Sequence, residues 1–184
     1  MNLVVTVWLV AAGLLPTNPP DAELALISYL TDHRSGDESL VQLSAHSSAQ
    51  VRSMAVLALG QNEMPETFAT VEKVLSEDNS PNVRQMAAFA VGQMKHERSE
   101  RVLLARLKKE NHPMVRQELW RALGRSGAQN ALLAMEQATG LDHAVAITNL
   151  GFILKRLKQD PATSNALKNA LKSSDPQVRA AALY

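Results

Sequence analysis

Cysteine is absent from the 184 residues. That excludes a disulfide framework, thiolate metal sites, a thiol nucleophile and a lipidated cysteine anchor. Aromatic residues are scarce, at 4%, so the core has to be built from Ala, Leu, Val and Met. Net charge is nearly absent too, at +1, which removes the simplest argument for nucleic-acid binding. Few aromatics, common Ala and 20% charged residues favour helices over a β-sandwich. The length allows one ordinary domain or a short repeat array, not a large multidomain enzyme. No charged side chain occurs before Asp21. Leu3 to Leu15 form an apolar run, shorter than the roughly 20 residues that span a bilayer, so no stable membrane span is expected. The run suits the apolar core of a secretory leader, which would make the protein periplasmic or extracellular. Against that, no Lys or Arg precedes it, and Ala11, Ala12 and Gly13 make a poor cleavage signal. The alternative is a cytoplasmic protein whose N-terminal helix caps a hydrophobic core. Residues 1–20 are thus set apart from 21–184.

What is present is an internal repeat. VRSMAVLALG from Val51, VRQMAAFAVG from Val83 and VRQELWRALG from Val115 align without gaps at intervals of 32 residues. Arg52, Arg84 and Arg116 recur with them, as do Gly60, Gly92 and Gly124. A further copy begins at Val178 and Arg179, and Val145 to Gly151 keeps the later part of the pattern without its Val-Arg. Val51, Met54, Ala55, Ala58 and Leu59 occupy i, i+3, i+4, i+7 and i+8, the spacing of one apolar helix face. Val83, Met86, Ala87, Ala90 and Val91 repeat it. Ser80-Pro81, His112-Pro113 and Asp175-Pro176 mark helix starts, because the N–H that Pro lacks has no partner in a first turn. The Gly after each stripe suggests a left-handed C-terminal cap. A second helix follows each Gly, with Phe68, Val71, Val74 and Leu75 on one face, Leu103 and Leu107 one period later, and Leu40 and Leu43 one period earlier. The predicted pairs cover 21–46, 50–76, 81–109, 114–138 and 142–172. A sixth unit begins at Pro176 and stops at Tyr184 on an apolar stripe, which predicts that the array is cut short, since solenoids normally end in a polar capping unit. The alternative is a genuine end in a single capping helix. The expected fold is an all-α solenoid, a right-handed superhelix of about five helix pairs plus a truncated sixth.

A pair of about 32 residues carrying Val-Arg-x-x-Ala-x-x-Ala-Leu-Gly on its first helix resembles the HEAT repeats, in particular the short bacterial, phycobilisome-lyase-like kind. The resemblance covers residues 21–184. It implies a non-catalytic protein-interaction scaffold with a protein or peptide ligand, although a fold alone does not transfer an activity. Ile27 to Arg34, Leu40 to Leu43 and Val51 to Gly60 also resemble the start of exported bacterial proteins. In those, a HEAT array precedes a cyclophilin-type peptidyl-prolyl isomerase domain. Such a domain would catalyse rotation about X-Pro bonds, and nothing like its β-barrel or its Phe-rich, Arg-containing strand occurs here.

Candidate sites each carry a bland alternative. Arg52, Arg84, Arg116 and Arg179 would line up as a ladder able to grip phosphates or an acidic peptide. The alternative is structural, with each Arg bonding carbonyls or carboxylates of inter-repeat turns, where Asp78, Glu110 and Asp175 stand nearby. Charge is segregated: residues 1–80 hold 3 Lys/Arg and 10 Asp/Glu, and residues 81–184 hold 16 and 8, giving −7 and +8. That pattern suits head-to-tail self-association or a bipolar binding surface, or else ordinary solvated faces. Lys73, Arg106, Lys109, Lys155, Arg156 and Lys158 are candidate partner contacts. Trp120 with Arg121 and Arg125 resembles, in outline, the basic and aromatic concave surface of HEAT-like DNA glycosylases. Trp120 falls in register with Val56 and Ala88, so packing is its alternative, and a nucleic-acid partner is not expected. The five histidines are scattered without metal-ligand spacing. No catalytic constellation, cofactor motif or phosphate-binding loop is found.

Overall fold

The computed structural model describes residues 21–35 and 37–183. The proposed leader and Tyr184 lie outside the described residues. Within them every regular element is helical. The α-helices are α1 (Asp21–Asp32), α2 (Asp37–Leu43), α3 (Ala49–Asn62), α4 (Phe68–Glu77), α5 (Pro81–Met94), α6 (Ser99–Leu107), α7 (Pro113–Ser126), α8 (Gln129–Glu136), α9 (His143–Arg156), α10 (Asn165–Ala170) and α11 (Pro176–Ala181). Short 3-10 turns precede α4, α9 and α10. The architecture is the all-α solenoid of stacked helix pairs that the periodicity predicts. The three Pro signals work as expected: α5, α7 and α11 begin on Pro81, Pro113 and Pro176.

The chain divides into two compact units at Met94 and Lys95. In the first, α1, α3 and α5 lie side by side, with α2 against α3 and α4 against α5. Val51, Ala55, Leu59, Val83, Ala87 and Ala90 are sealed between them, and Leu40, Phe68, Val71 and Leu75 close the second layer. Each fully buried Val, Leu or Phe contributes on the order of 1.5–3 kcal/mol. Met54 departs from the predicted stripe and is 39% exposed. α3 has neighbours on both flanks and beneath, so its buried arc shifts to include Val56 and Gly60 and leaves Met54 facing water.

In the second unit α6 lies against α7 and α8 against α9, while α7, α9 and α11 form the layer. Its core is Leu103, Val115, Leu119, Leu123, Met135, Leu150 and Ile153. In both units a second helix leans more on the next first helix than on its own partner, as α2 leans on α3, α4 on α5 and α8 on α9, whereas α10 rests equally on α9 and α11.

The glycines correct one expectation. Gly60, Gly92 and Gly124 are not left-handed caps; they lie inside α3, α5 and α7 and are buried. A Cβ on Gly60 would stand 2.5 Å from Ala90 Cβ, and one on Gly124 would stand 2.6 Å from Asn149 Oδ1. These two lack a side chain because the neighbouring helix occupies its place. The left-handed residues are instead Glu63 and Lys95, each three positions after its Gly, and Lys158, two past the end of α9, together with Arg34 and Gly140.

Candidate functional site

The recurrent Arg belongs to a repeated turn. In each turn the first side chain accepts the backbone N–H two residues on: His46 Nδ1 from Ser48 at 3.1 Å, Asp78 from Ser80 at 2.8 Å, Glu110 from His112 at 2.9 Å and Ser173 Oγ from Asp175 at 3.2 Å. The Arg of the following helix then reaches back. Arg52 donates to the carbonyls of His46 and Ser47 at 2.9 and 3.0 Å, and Arg84 to those of Asp78 and Asn79 at 2.9 and 3.0 Å. Arg116 donates to the carbonyls of Glu110 and Leu107, and Arg179 to those of Ser173 and Ser174. One guanidinium thus satisfies carbonyls that the turn leaves without helical partners.

Carboxylates complete two of these turns. Arg52 grips Asp78 through Nε and a terminal nitrogen, at 2.7 and 3.0 Å. Arg116 makes the same two-pronged contact with Asp142. Both acids stand 26 residues after their Arg. Burial pushes the Asp78 carboxyl up, but the Arg52 hydrogen bonds, the Ser80 N–H and the charges of Arg52 and Arg84 outweigh it and hold the group below its ordinary range. Of the acids singled out in the sequence, Glu110 directs its carboxylate to Arg106, at 2.6 and 3.1 Å, and Asp175 caps Gln177 at 2.8 Å. Sequence reasoning missed Asp142, although it stands one period after Glu110 and two after Asp78.

The candidate partner contacts separate into two groups. Arg106 is 17% exposed and bound to Glu110. Arg125 pairs with Glu118. Arg156 donates to the carbonyls of Gly124 and Gly127 at 3.1 and 2.6 Å, and also to that of Arg125. It thereby caps the C-terminus of α7, and desolvation there lowers its affinity for its proton against an opposing pull from Glu100. The cluster of 155, 156 and 158 is therefore divided: Lys155 is exposed on α9, Arg156 closes α7, and Lys158 sits past the helix in a left-handed turn. Lys73 is exposed on α4 and Lys109 lies beyond the end of α6. Arg121 has a side chain 48% exposed, with a long 3.5 Å contact to Glu118. Trp120 is buried in the core at 4% exposure, its indole N–H without a hydrogen-bond partner, so it offers no stacking face.

Hollows indent the surface of each unit among the described residues. One in the first unit, about 540 Å³, is lined by Ser44, His46, Thr70, Lys73, Glu77 and Asp78 among others. Three in the second unit adjoin one another along α9. The first, about 550 Å³, is lined by Arg121, Gly124, Arg125, Thr148, Asn149, Phe152 and Arg156. The second, about 470 Å³, shares Arg121, Thr148 and Asn149 and adds Gln117, Leu141 and Val145. The third, about 620 Å³, shares Thr148 and Phe152 and runs to α10 and α11. None of the described residues lining these three is acidic. Phe152, which sequence reasoning passed over, is 63% exposed among them. Its signal was available: the residue after the recurrent Gly is Gln61, Gln93 and Arg125 in the earlier copies and an aromatic only here. Among the described residues no group of three His, Asp or Glu converges as a metal site, and no helix is long and apolar enough to cross a membrane.

A family model of HEAT repeats matches residues 36–124 and, in an overlapping alignment, 69–144. No curated protein matches the chain.

Proposed function

We propose that this chain, which belongs to the HEAT-repeat family over more than half its length, is a non-catalytic scaffold for protein interactions. HEAT repeats are generally such scaffolds. The observation that carries the reading is a division of labour between periodic and non-periodic polar residues. The side chains that recur with the period, Arg52, Arg84, Arg116 and Arg179, are each engaged by carbonyls of their own turn. Some of the residues facing water in the second unit, Arg121, Leu141, Phe152 and Lys155 among them, do not recur, as expected of positions that serve a ligand. Crosslinking of the whole tagged chain in its native host, followed by mass spectrometry, tests the reading. The expected result is a partner protein recovered reproducibly against an untagged control; recovery of none would sink it.

The apolar run Leu3 to Leu15 and the likeness of residues 27–60 support a narrower placement. There the array is exported and forms the front of a cyclophilin-type isomerase. The reading frame beyond Tyr184 decides this, because a stop codon or an unrelated domain would end the idea. N-terminal sequencing of native material tests export, and an intact Met1 in a cytosolic fraction would refute it. Opposite charge in the two halves supports a further contact mode, head-to-tail association of copies.

A further inference from the structure

We propose that the groove between α7 and α9 binds a short acidic segment of a partner protein, seating one apolar side chain against Phe152 and a carboxylate on Arg121. The proposal rests on the scaffold reading and names the chemistry of the partner. Two adjoining hollows of about 550 and 470 Å³ share Arg121, Thr148 and Asn149, and no described acidic residue lines either. The two acids that adjoin the lining in sequence, Glu118 and Asp142, have side chains only 9% and 16% exposed; Glu118 is occupied by Arg121 and Arg125, and Asp142 by Arg116. The groove therefore presents positive potential with no carboxylate of its own facing outward.

Its apolar content is equally specific. Phe152 is 63% exposed and Leu141 is 96% exposed. Phe152 occupies a position that Gln61, Gln93 and Arg125 fill in the other copies, so the repeat itself has no need of an aromatic there. A large apolar side chain held in water on a rigid helix gains its burial energy when something covers it.

The cations decide between classes of occupant. Binding a nucleic-acid backbone calls for a row of unoccupied Lys or Arg tracking successive phosphates, with exposed aromatics on which bases stack. Here Arg156 is committed to carbonyls of α7 and its following turn, and Arg125 to Glu118. Trp120 is buried. Arg121 reaches into both hollows and holds only the 3.5 Å contact, and Lys155 stands beyond Phe152. Thr148 donates to the Ala144 carbonyl at 3.0 Å, which leaves its oxygen free to accept a backbone N–H. One or two carboxylates beside one apolar group match this surface, and a run of phosphates does not.

The test is random-peptide display against the whole chain, followed by affinity measurement of the recovered peptides on wild type, Phe152→Ala and Arg121→Glu. Both side chains are exposed, and thermal melts confirm that the variants fold. The expected result is enrichment of sequences with Asp or Glu beside Leu, Ile or Phe, each weakened at least about tenfold by either substitution. Enrichment of basic or neutral sequences, or no enrichment, overturns the proposal. Acidic peptides that bind both variants as tightly as wild type overturn the groove but leave the scaffold reading standing. That reading falls separately, if crosslinking finds no partner. Single-stranded DNA is measured alongside, and binding tighter than any peptide's and lost in Arg121→Glu would reassign the groove to nucleic acid.

Discussion

Gly60 and Gly151 hold the same place in the repeat and meet opposite surroundings. A Cβ on Gly60 would stand 2.5 Å from Ala90 Cβ and 2.6 Å from Ala90 Cα, whereas one on Gly151 would meet nothing within 4 Å. Ala is better than Gly inside a helix by about 1 kcal/mol. At Gly60 that gain is outweighed, because the obstruction is α5 backbone and overpacking costs about 1–3 kcal/mol. Gly60→Ala should therefore lower stability and Gly151→Ala raise it by about 0.5–1 kcal/mol. Denaturant melts check the order, and finding Gly60→Ala above wild type would refute the close-approach account. Two carboxylates make the acid limit a residue-scale matter as well. Burial pushes Glu100 up, but the N–H groups of Ala131 and Ala128 and the amide of Asn130 outweigh it and hold the group below its ordinary range, as Asp78 is held by Arg52. A carboxylate depressed in the folded chain stabilises fully above its unfolded value, about pH 4, and that stability is lost as pH falls through the depressed value. Asp78→Asn and Glu100→Gln should each flatten the acid side of a Tm against pH profile; a profile of unchanged shape would count against both pairings.

Helix ends show how these side chains act on whole elements. α7 closes without a left-handed residue, since Gly127 at its C-cap has φ of −70°. Its last carbonyls are met from outside by Arg156 of α9. At the start of the next helix, Glu100 of α6 accepts the N–H groups of Ala128 and Ala131 at 2.7 and 2.9 Å and so caps α8. The turn between α7 and α8 is thus held by the helices on either side of that pair, α6 and α9. Arg156→Ala should cost about 1–3 kcal/mol, the scale of hydrogen bonds to a charged group. Faster amide exchange should centre on residues 124–131. A loss of stability with no local change in exchange would mean that Arg156 acts elsewhere. Pairing of elements is also settled here, because contact and not sequence order sets it: α4 rests mainly on α5, across the Asp78 turn, and α8 on α9.

The whole molecule is electrically divided along the same line as its packing. The unit ending at Met94 has 4 Lys/Arg and 10 Asp/Glu, and the unit from Lys95 has 15 and 8, so they carry −6 and +7. If copies associate through these opposite charges, sedimentation at low ionic strength should show a mass above 20.0 kDa. That mass should fall to the monomer value as the screening length shrinks from about 10 Å at 0.1 M salt to about 3 Å at 1 M. A monomer at every salt concentration would remove head-to-tail association.

Helices, period, Pro-marked starts and family were legible in the sequence because each is a short-range regularity. An apolar stripe at i, i+3 and i+4, or a Pro that suits a first turn, declares itself within one helix. A period of 32 then copies that information along the chain. The acids of the inter-repeat turns were legible for the same reason, since Asp78, Glu110 and Asp142 recur with the period, but which Arg each one meets was not. Four things needed the fold. Gly60 and Gly124 had to be read as contact points and not caps, because what fills the missing side chain belongs to another helix. Arg116 had to find Asp142, Arg156 had to leave the basic cluster for the end of α7, and Phe152 had to be seen uncovered. Each depends on which residue of a neighbouring helix lies opposite, and local spacing carries no record of that; packing alone sets it.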